Sequence, residues 1–182
     1  MMRKLSILFL CLLASVVSAG SLKTDNPVRK PSGSVGLMTE PQSKKITRYS
    51  EMLAEEQFVE AKSGLTAMLA KLNDRDAYVQ AIIYQLLGHI DSLQGNYRGS
   101  AANFKKAIDF DSLPNTQHFQ MMLQHAQLLM LDDQQSAGLN SLNAYMATVD
   151  EIPDSAFAVK ANAHVQLEQF REAKAAIKQA IQ

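Results

Sequence analysis

Small and large apolar side chains recur along this chain every 36 to 39 residues, and no other feature of the sequence limits its fold as strongly. The marks of the recurrence are Phe58, Tyr97, Gln134 and Phe170, spaced by 39, 37 and 36 residues. Around Tyr97 the frame reads Tyr84, Leu87, Gly88, Gly95, Ser100, Phe104 and Ala107. Around Phe170 it reads Phe157, Ala161, Ala173, Ile177 and Ala180, and around Phe58 it keeps Ala61 and Leu65. The third copy is the loosest: Gln134 takes the post-turn place and Ala137 the small one, while Leu139, Leu142, Tyr145 and Met146 drift from register. Such a period marks stacked supersecondary units, each too small to bury its own apolar face. The intervening segments are rich in Ala, Leu, Gln, Met and Lys, all good helix formers, and only Pro114 and Pro153 interrupt them after Ile46. Each unit is therefore expected to be a helical hairpin. A small residue at Gly88 or Ala161 in the first helix, and at Ala61, Ser100, Ala137 or Ala173 in the second, lets the two backbones approach. The predicted fold is all-α, with about four antiparallel helix pairs over residues 44–182. The face of the last helix is expected to be solvated, because Ala175, Ala176 and Ala180 expose little apolar area; a docking surface is the alternative.

Ahead of the array the chain has a different character. Arg3 and Lys4 precede an apolar run from Leu5 to Val17, closed by Ser18, Ala19 and Gly20. This is the plan of a secretory signal peptide over residues 1–19, and the run is short for a membrane span. Cys11, the one cysteine, lies inside it. Cleavage after Ala19 would leave no thiol and a formal charge of −2, in an oxidising, extracytoplasmic setting. From residue 20 to 43, Pro27, Pro31, Pro41, Gly33 and Gly36 break any periodicity. That stretch is expected to be a mobile, solvated leader.

Composition excludes several functions. With 18 basic against 18 acidic residues and no basic run, the chain lacks the electrostatic footprint of a nucleic-acid binder. Neither a Gly-rich phosphate loop, a His-Glu-x-x-His helix nor a Gly-x-Ser-x-Gly elbow is present. His118 and His125 share a helix face but are roughly 10 Å apart along it, too far to share one metal ion. His164 takes a place suited to a packed ring. The expectation is a non-catalytic protein without metal, cofactor or small-molecule substrate; an envelope hydrolase would need a polar constellation that the sequence does not offer.

Through Tyr84, Leu87, Gly88, Gly95, Tyr97, Ser100, Phe104 and Ala107 the chain resembles the tetratricopeptide repeat. That resemblance implies a right-handed superhelical array whose first helices line a concave groove. The implied groove set is Ile46, Ser50 and Leu53; Ile82, Gln85, His89 and Leu93; Phe119, Met122, Leu129 and Met130; and Ala158, Asn162 and Val165. Of these, Gln85, His89, Leu93, Phe119, Met122, Met130 and Asn162 are the candidate partner-binding residues. None is basic, which argues against the carboxylate clamp of chaperone-binding repeats. Between Lys106 and Lys160 there is no Lys or Arg at all, against seven acids: Asp109, Asp111, Asp132, Asp133, Asp150, Glu151 and Asp154. The groove is expected to take an apolar or cationic peptide, with Phe119 and the methionines as an adaptable surface.

More narrowly, Tyr84 to Gly88, Leu113-Pro114, Ala126 to Leu129 and Phe170 to Ile181 resemble the periplasmic tetratricopeptide proteins that accompany TonB-type energy-transduction systems. This resemblance implies a periplasmic accessory subunit of iron uptake, with TonB-system membrane proteins as partners. A scaffold for outer-membrane or pilus assembly is the alternative.

Overall fold

The computed structural model describes residues 21–23, 29–33 and 35–181; the expected signal peptide lies outside them. The described chain forms eight α-helices in four antiparallel pairs: α1 (Glu40–Ala54) with α2 (Phe58–Leu69), α3 (Ala77–Leu93) with α4 (Tyr97–Asp109), α5 (Asn115–Leu131) with α6 (Gln135–Met146), and α7 (Asp154–Gln166) with α8 (Phe170–Ala180). A short 3₁₀ turn, Asp74–Asp76, leads into α3. Two three-residue strands, β1 (Ser21–Lys23) and β2 (Glu151–Pro153), pair antiparallel with Leu22 opposite Ile152. Among the described residues no helix is long and apolar enough to cross a membrane. The expected all-α stack of hairpins is what the chain forms.

One backbone device makes all four hairpins. Glu56, Gly95, Asp133 and Glu168 have φ of 58°, 75°, 59° and 59°. The residue after each sends its N–H five positions back, as Gln57 to the Met52 carbonyl (2.8 Å), Asn96 to Asp91 (2.8 Å), Gln134 to Leu129 (2.9 Å) and Gln169 to His164 (2.8 Å). This left-handed ending closes the first helix, satisfies its last carbonyls and reverses the chain. Only Gly95 adopts that conformation without steric cost. Glu168→Gly is therefore expected to stabilise the protein by about 1 kcal/mol, raising Tm by about 2–4 °C; a lowered Tm in calorimetry would contradict the shared turn.

The turns also fix the register of the third pair. Gln134 is the N-cap of α6, not its first residue, so the post-turn position is Gln135 and the small one is Gly138. Ala137, expected in that role, is half-buried, whereas Gly138 is buried. A side chain on Gly138 would meet the Ala126 carbonyl oxygen at 3.0 Å and the Met130 side chain. With this one-residue correction Leu142 and Tyr145 no longer drift: they align with Leu65 and Met68, and with Phe104 and Ala107, all buried.

In the second pair the small residues act where they were expected to. Gly88 lies under the Phe104 ring, and Ser100 donates its hydroxyl to the Gly88 carbonyl (2.8 Å) in a buried position. In the first pair the sizes are exchanged: Tyr49 stands at the Gly88 place, and Gly64 on α2 makes room for its ring.

Burial runs across the joints. One core cluster joins α1 and α2 to α3, through Leu65, Val79 and Ile83. A second joins α3 and α4 to α5, through Ala81, Phe104 and Met121, and a third joins α5 and α6 to α7, through Leu142, Tyr145 and Phe157. The joint between α4 and α5 is the most extensive. On α8 apolar side chains are open to solvent: Phe170, Ile177 and Ile181 are 65%, 50% and 79% exposed, although Ile177 aligns with the buried Leu65, Phe104 and Leu142. The alanines therefore do not leave this face as poor in exposed apolar area as expected, because the isoleucines stand beside them.

The leader also departs from expectation. Helix α1 begins inside it, at Glu40, under a capping box in which Thr39 and Gln42 exchange hydrogen bonds. Residues 29–33 lie against the α4–α5 loop, where Arg29 pairs with Asp111. A single cation meeting a region of the array that has none of its own explains why a Pro- and Gly-rich stretch docks.

Candidate functional site

The first helix of a pair touches the next first helix at two joints, α1 with α3 and α5 with α7, and α1, α3, α5 and α7 are taken together as one row. Counting back from each left-handed turn aligns Gln85 with Leu123 and Ala158, and His89 with Gln127 and Asn162. Gln85, His89 and Leu93 succeed one another at i, i+4 and share one face of α3. Leu93 is 57% exposed and Asn162 is exposed. Gln85 is half-buried. His89 is half-buried with its ring edge-on to Phe104, 5.1 Å between centroids, and burial lowers its pKa.

The remaining candidates fall differently. Met122 takes the position that Tyr84 holds in the second pair and the buried Phe157 in the fourth, and Phe119 aligns with the buried Ala81. Both pack against the third core cluster, as does Met130, whose side chain covers Gly138. The structure thus brings Gln85, His89 and Leu93 together on α3, sets Asn162 in the same row on α7, and places Phe119, Met122 and Met130 against the core beneath that row. An open depression of about 610 Å³, lined by Phe58, Val59, Lys62, Ser63, Thr66 and Ala67, lies instead on α2, a second helix.

The other histidines are held by hydrogen bonds or by burial. His125 Nδ1 meets Ser141 Oγ at 2.8 Å, and its pKa is lowered by burial and then by the Lys105 cation. His164 Nδ1 meets Gln169 Oε1 at 2.7 Å. His118 is buried and its pKa is pulled down to about 4, first by burial and then by the Arg29 cation, with Asp111 opposing. Among the described residues no three His, Cys, Asp or Glu side chains gather as a metal ion would require.

The acidic zone is partly neutralised from outside. Arg98 reaches Asp132 (2.9 Å), Lys105 holds Asp109 (2.5 Å) and Arg29 holds Asp111 (2.5 Å). The aligned first-helix positions carry no formal charge: Gln85, Leu93, Leu123, Gln127, Ala158 and Asn162, with His89, whose pKa is lowered by burial.

Sequence reasoning missed Asp91. It stands where the repeat usually has an aromatic residue, is only 3% exposed, and accepts from Lys62 Nζ (2.6 Å) and Asn103 Nδ2 (2.8 Å). It thereby clasps α2, α3 and α4 at the joint between the first two pairs. A lone acid in an apolar helix was the available signal, but its lysine partner is 29 residues away.

Comparison with known families matches the tetratricopeptide repeat to residues 155–182, the α7–α8 pair. Comparisons with curated proteins and with solved structures find no match. The matched pair carries the same left-handed turn as the other three, and its Ala161 stands where the second and third pairs have Gly88 and Ala126, so the stack as a whole is an all-α, tetratricopeptide-like solenoid.

Proposed function

We propose that the protein is a non-catalytic scaffold that captures an extended or helical, largely apolar peptide along the inner row formed by α1, α3, α5 and α7. The observation that carries this reading is the neutral, partly exposed strip of Gln85, His89, Leu93, Gln127 and Asn162 on consecutive first helices. Amide side chains there can bond a peptide backbone, and Leu93 offers apolar area. The chain's first residues support export to the periplasm through a cleaved signal peptide, and the short segments from Tyr84 to Ile181 support an accessory role beside a TonB-type iron-uptake system. Assembly of outer-membrane or pilus components is the second reading, favoured by the same groove.

The groove has a direct test. Leu93→Asp and Asn162→Asp change partly exposed side chains and are expected to weaken partner capture tenfold or more, about 1.4 kcal/mol, with an unchanged helical circular-dichroism signal. Pull-down from a periplasmic extract, with wild type and variants side by side, reads the result. Equal recovery of the same partner by both variants would remove the inner row from consideration, and recovery of assembly machinery rather than TonB-system proteins would favour the second reading.

A further inference from the structure

The Arg29 contact is a built site. The guanidinium is 8% exposed; Nε donates to Asp111 Oδ1 (2.6 Å), and one terminal nitrogen donates to the Leu113 carbonyl (3.1 Å) and to Asn115 Oδ1 (2.9 Å). The backbone is gripped as well. Asn115 Nδ2 donates to the Arg29 carbonyl (3.0 Å), the Ser32 N–H to Asp111 Oδ2 (2.9 Å) and the Gly33 N–H to the Asp111 carbonyl (3.1 Å). Gly33 lies so close to Ser112 that an added Cβ would come within 2.8 Å of the Ser112 Cβ. Asp111 itself is held at φ 46°, a conformation unfavourable for a non-glycine residue, in the short loop between α4 and α5. Side chain, main chain and shape together read an arginine followed by a serine and a glycine three and four residues on. Charge points the same way, since no Lys or Arg of the array lies between residues 106 and 160.

We propose that the Asp111, Leu113 and Asn115 pocket is a docking site for an arginine-bearing extended segment of a partner protein, and that the chain's own residues 29–33 fill it as a displaceable stand-in. The site sits on the loop edge of the stack, so it does not depend on the groove reading above. The stand-in is tethered to α1 by a short link through residues 35–39, in which Val35 and Leu37 are 41% and 67% exposed. A tethered segment competes at an effective concentration in the millimolar range. A partner segment therefore sees only the fraction of molecules whose pocket is open, and its apparent affinity falls by that fraction. Docking at this edge would be weak until the leader is drawn away or outcompeted.

The test uses full-length protein and a labelled synthetic peptide of residues 27–35, Pro-Val-Arg-Lys-Pro-Ser-Gly-Ser-Val, with fluorescence anisotropy as the readout. Arg29→Ala takes the guanidinium out of the pocket, weakens the stand-in's hold, and is expected to tighten peptide binding about tenfold or more relative to wild type. Adding Asp111→Asn to Arg29→Ala should abolish that gain, and a peptide with alanine in place of its arginine should not bind. If Arg29→Ala, shown folded by circular dichroism, binds the peptide no better than wild type, or if binding survives Asp111→Asn, the proposal is overturned.

Discussion

Replacing Phe104 with alanine is expected to remove about 3–5 kcal/mol of stability, the range for deleting a fully buried aromatic ring. Phe104 is 2% exposed, lies over Gly88 and forms the centre of the cluster that joins α3 and α4 to α5. The void cannot close easily, because Gly88 has no side chain to relax into it. Phe104→Leu, which installs the residue found at the aligned positions 65 and 142, should lose less, about 1–2 kcal/mol. Urea unfolding followed by circular dichroism measures both. The alanine variant should also broaden the transition, since a stack held by nearest-neighbour contacts loses cooperativity when its middle joint is weakened. A second readout is His89, whose ring rests edge-on against Phe104. Burial holds its pKa below 6.5, so opening the site to water should move that pKa upward in an NMR titration. A loss below about 1 kcal/mol, with His89 unmoved, would show that the ring is not the keystone of the shared core.

The second large effect is expected at Asp91. Its carboxylate is buried and receives two strong bonds, one from an ammonium and one from an amide. Charge-assisted bonds of this kind contribute about 1.5–3 kcal/mol each, but the Lys62 side chain is 45% exposed and can return to water once released. Asp91→Ala should accordingly cost about 2–4 kcal/mol in urea unfolding, and Asp91→Asn less, because the amide keeps one acceptor for Asn103. A double-mutant cycle with Lys62→Met separates the pair from the rest: the two losses should fall short of additive by about 1 kcal/mol or more. Strict additivity would mean that lysine and aspartate do not act on each other, and that the joint between the first two pairs rests on its apolar contacts alone.

Much of the stack was legible because burial writes itself into residue type. Ala61, Leu65, Gly88, Phe104, Phe157 and Ala173 were readable as packing positions, and all are buried. The third pair was misread by one residue for a specific reason. Its turn is made by Asp133 and its post-turn place is taken by Gln135, so it has neither the glycine of the second pair nor the aromatic residue, Phe58 or Phe170, that marks the first and fourth. The register then followed Ala137 rather than Gly138, and it carried Phe119, Met122 and Met130 onto the groove list. The docked leader was not legible either. Composition describes a Pro- and Gly-rich stretch as solvated, and it contains no information about Asp111, 82 residues further on. Asp91 was hidden in the same way, since only the packing of three helices creates the need for its charge. The inner row lies between these cases. Helical period places Gln85, His89 and Leu93 on one face, but which amides await a partner is a matter of shape that no single side chain announces.

The joints of this stack are not alike. The middle one, where α4 runs along α5, is broad and apolar, while those on either side are thinner, and the first is supplemented by the Lys62–Asp91–Asn103 clasp. Under tension such an object does not stretch evenly: its compliance concentrates at the outer joints while the two central hairpins travel as one block. A ligand bridging an outer joint is then expected to meet a softer hinge than one seated over the centre, with stiffness graded along the stack.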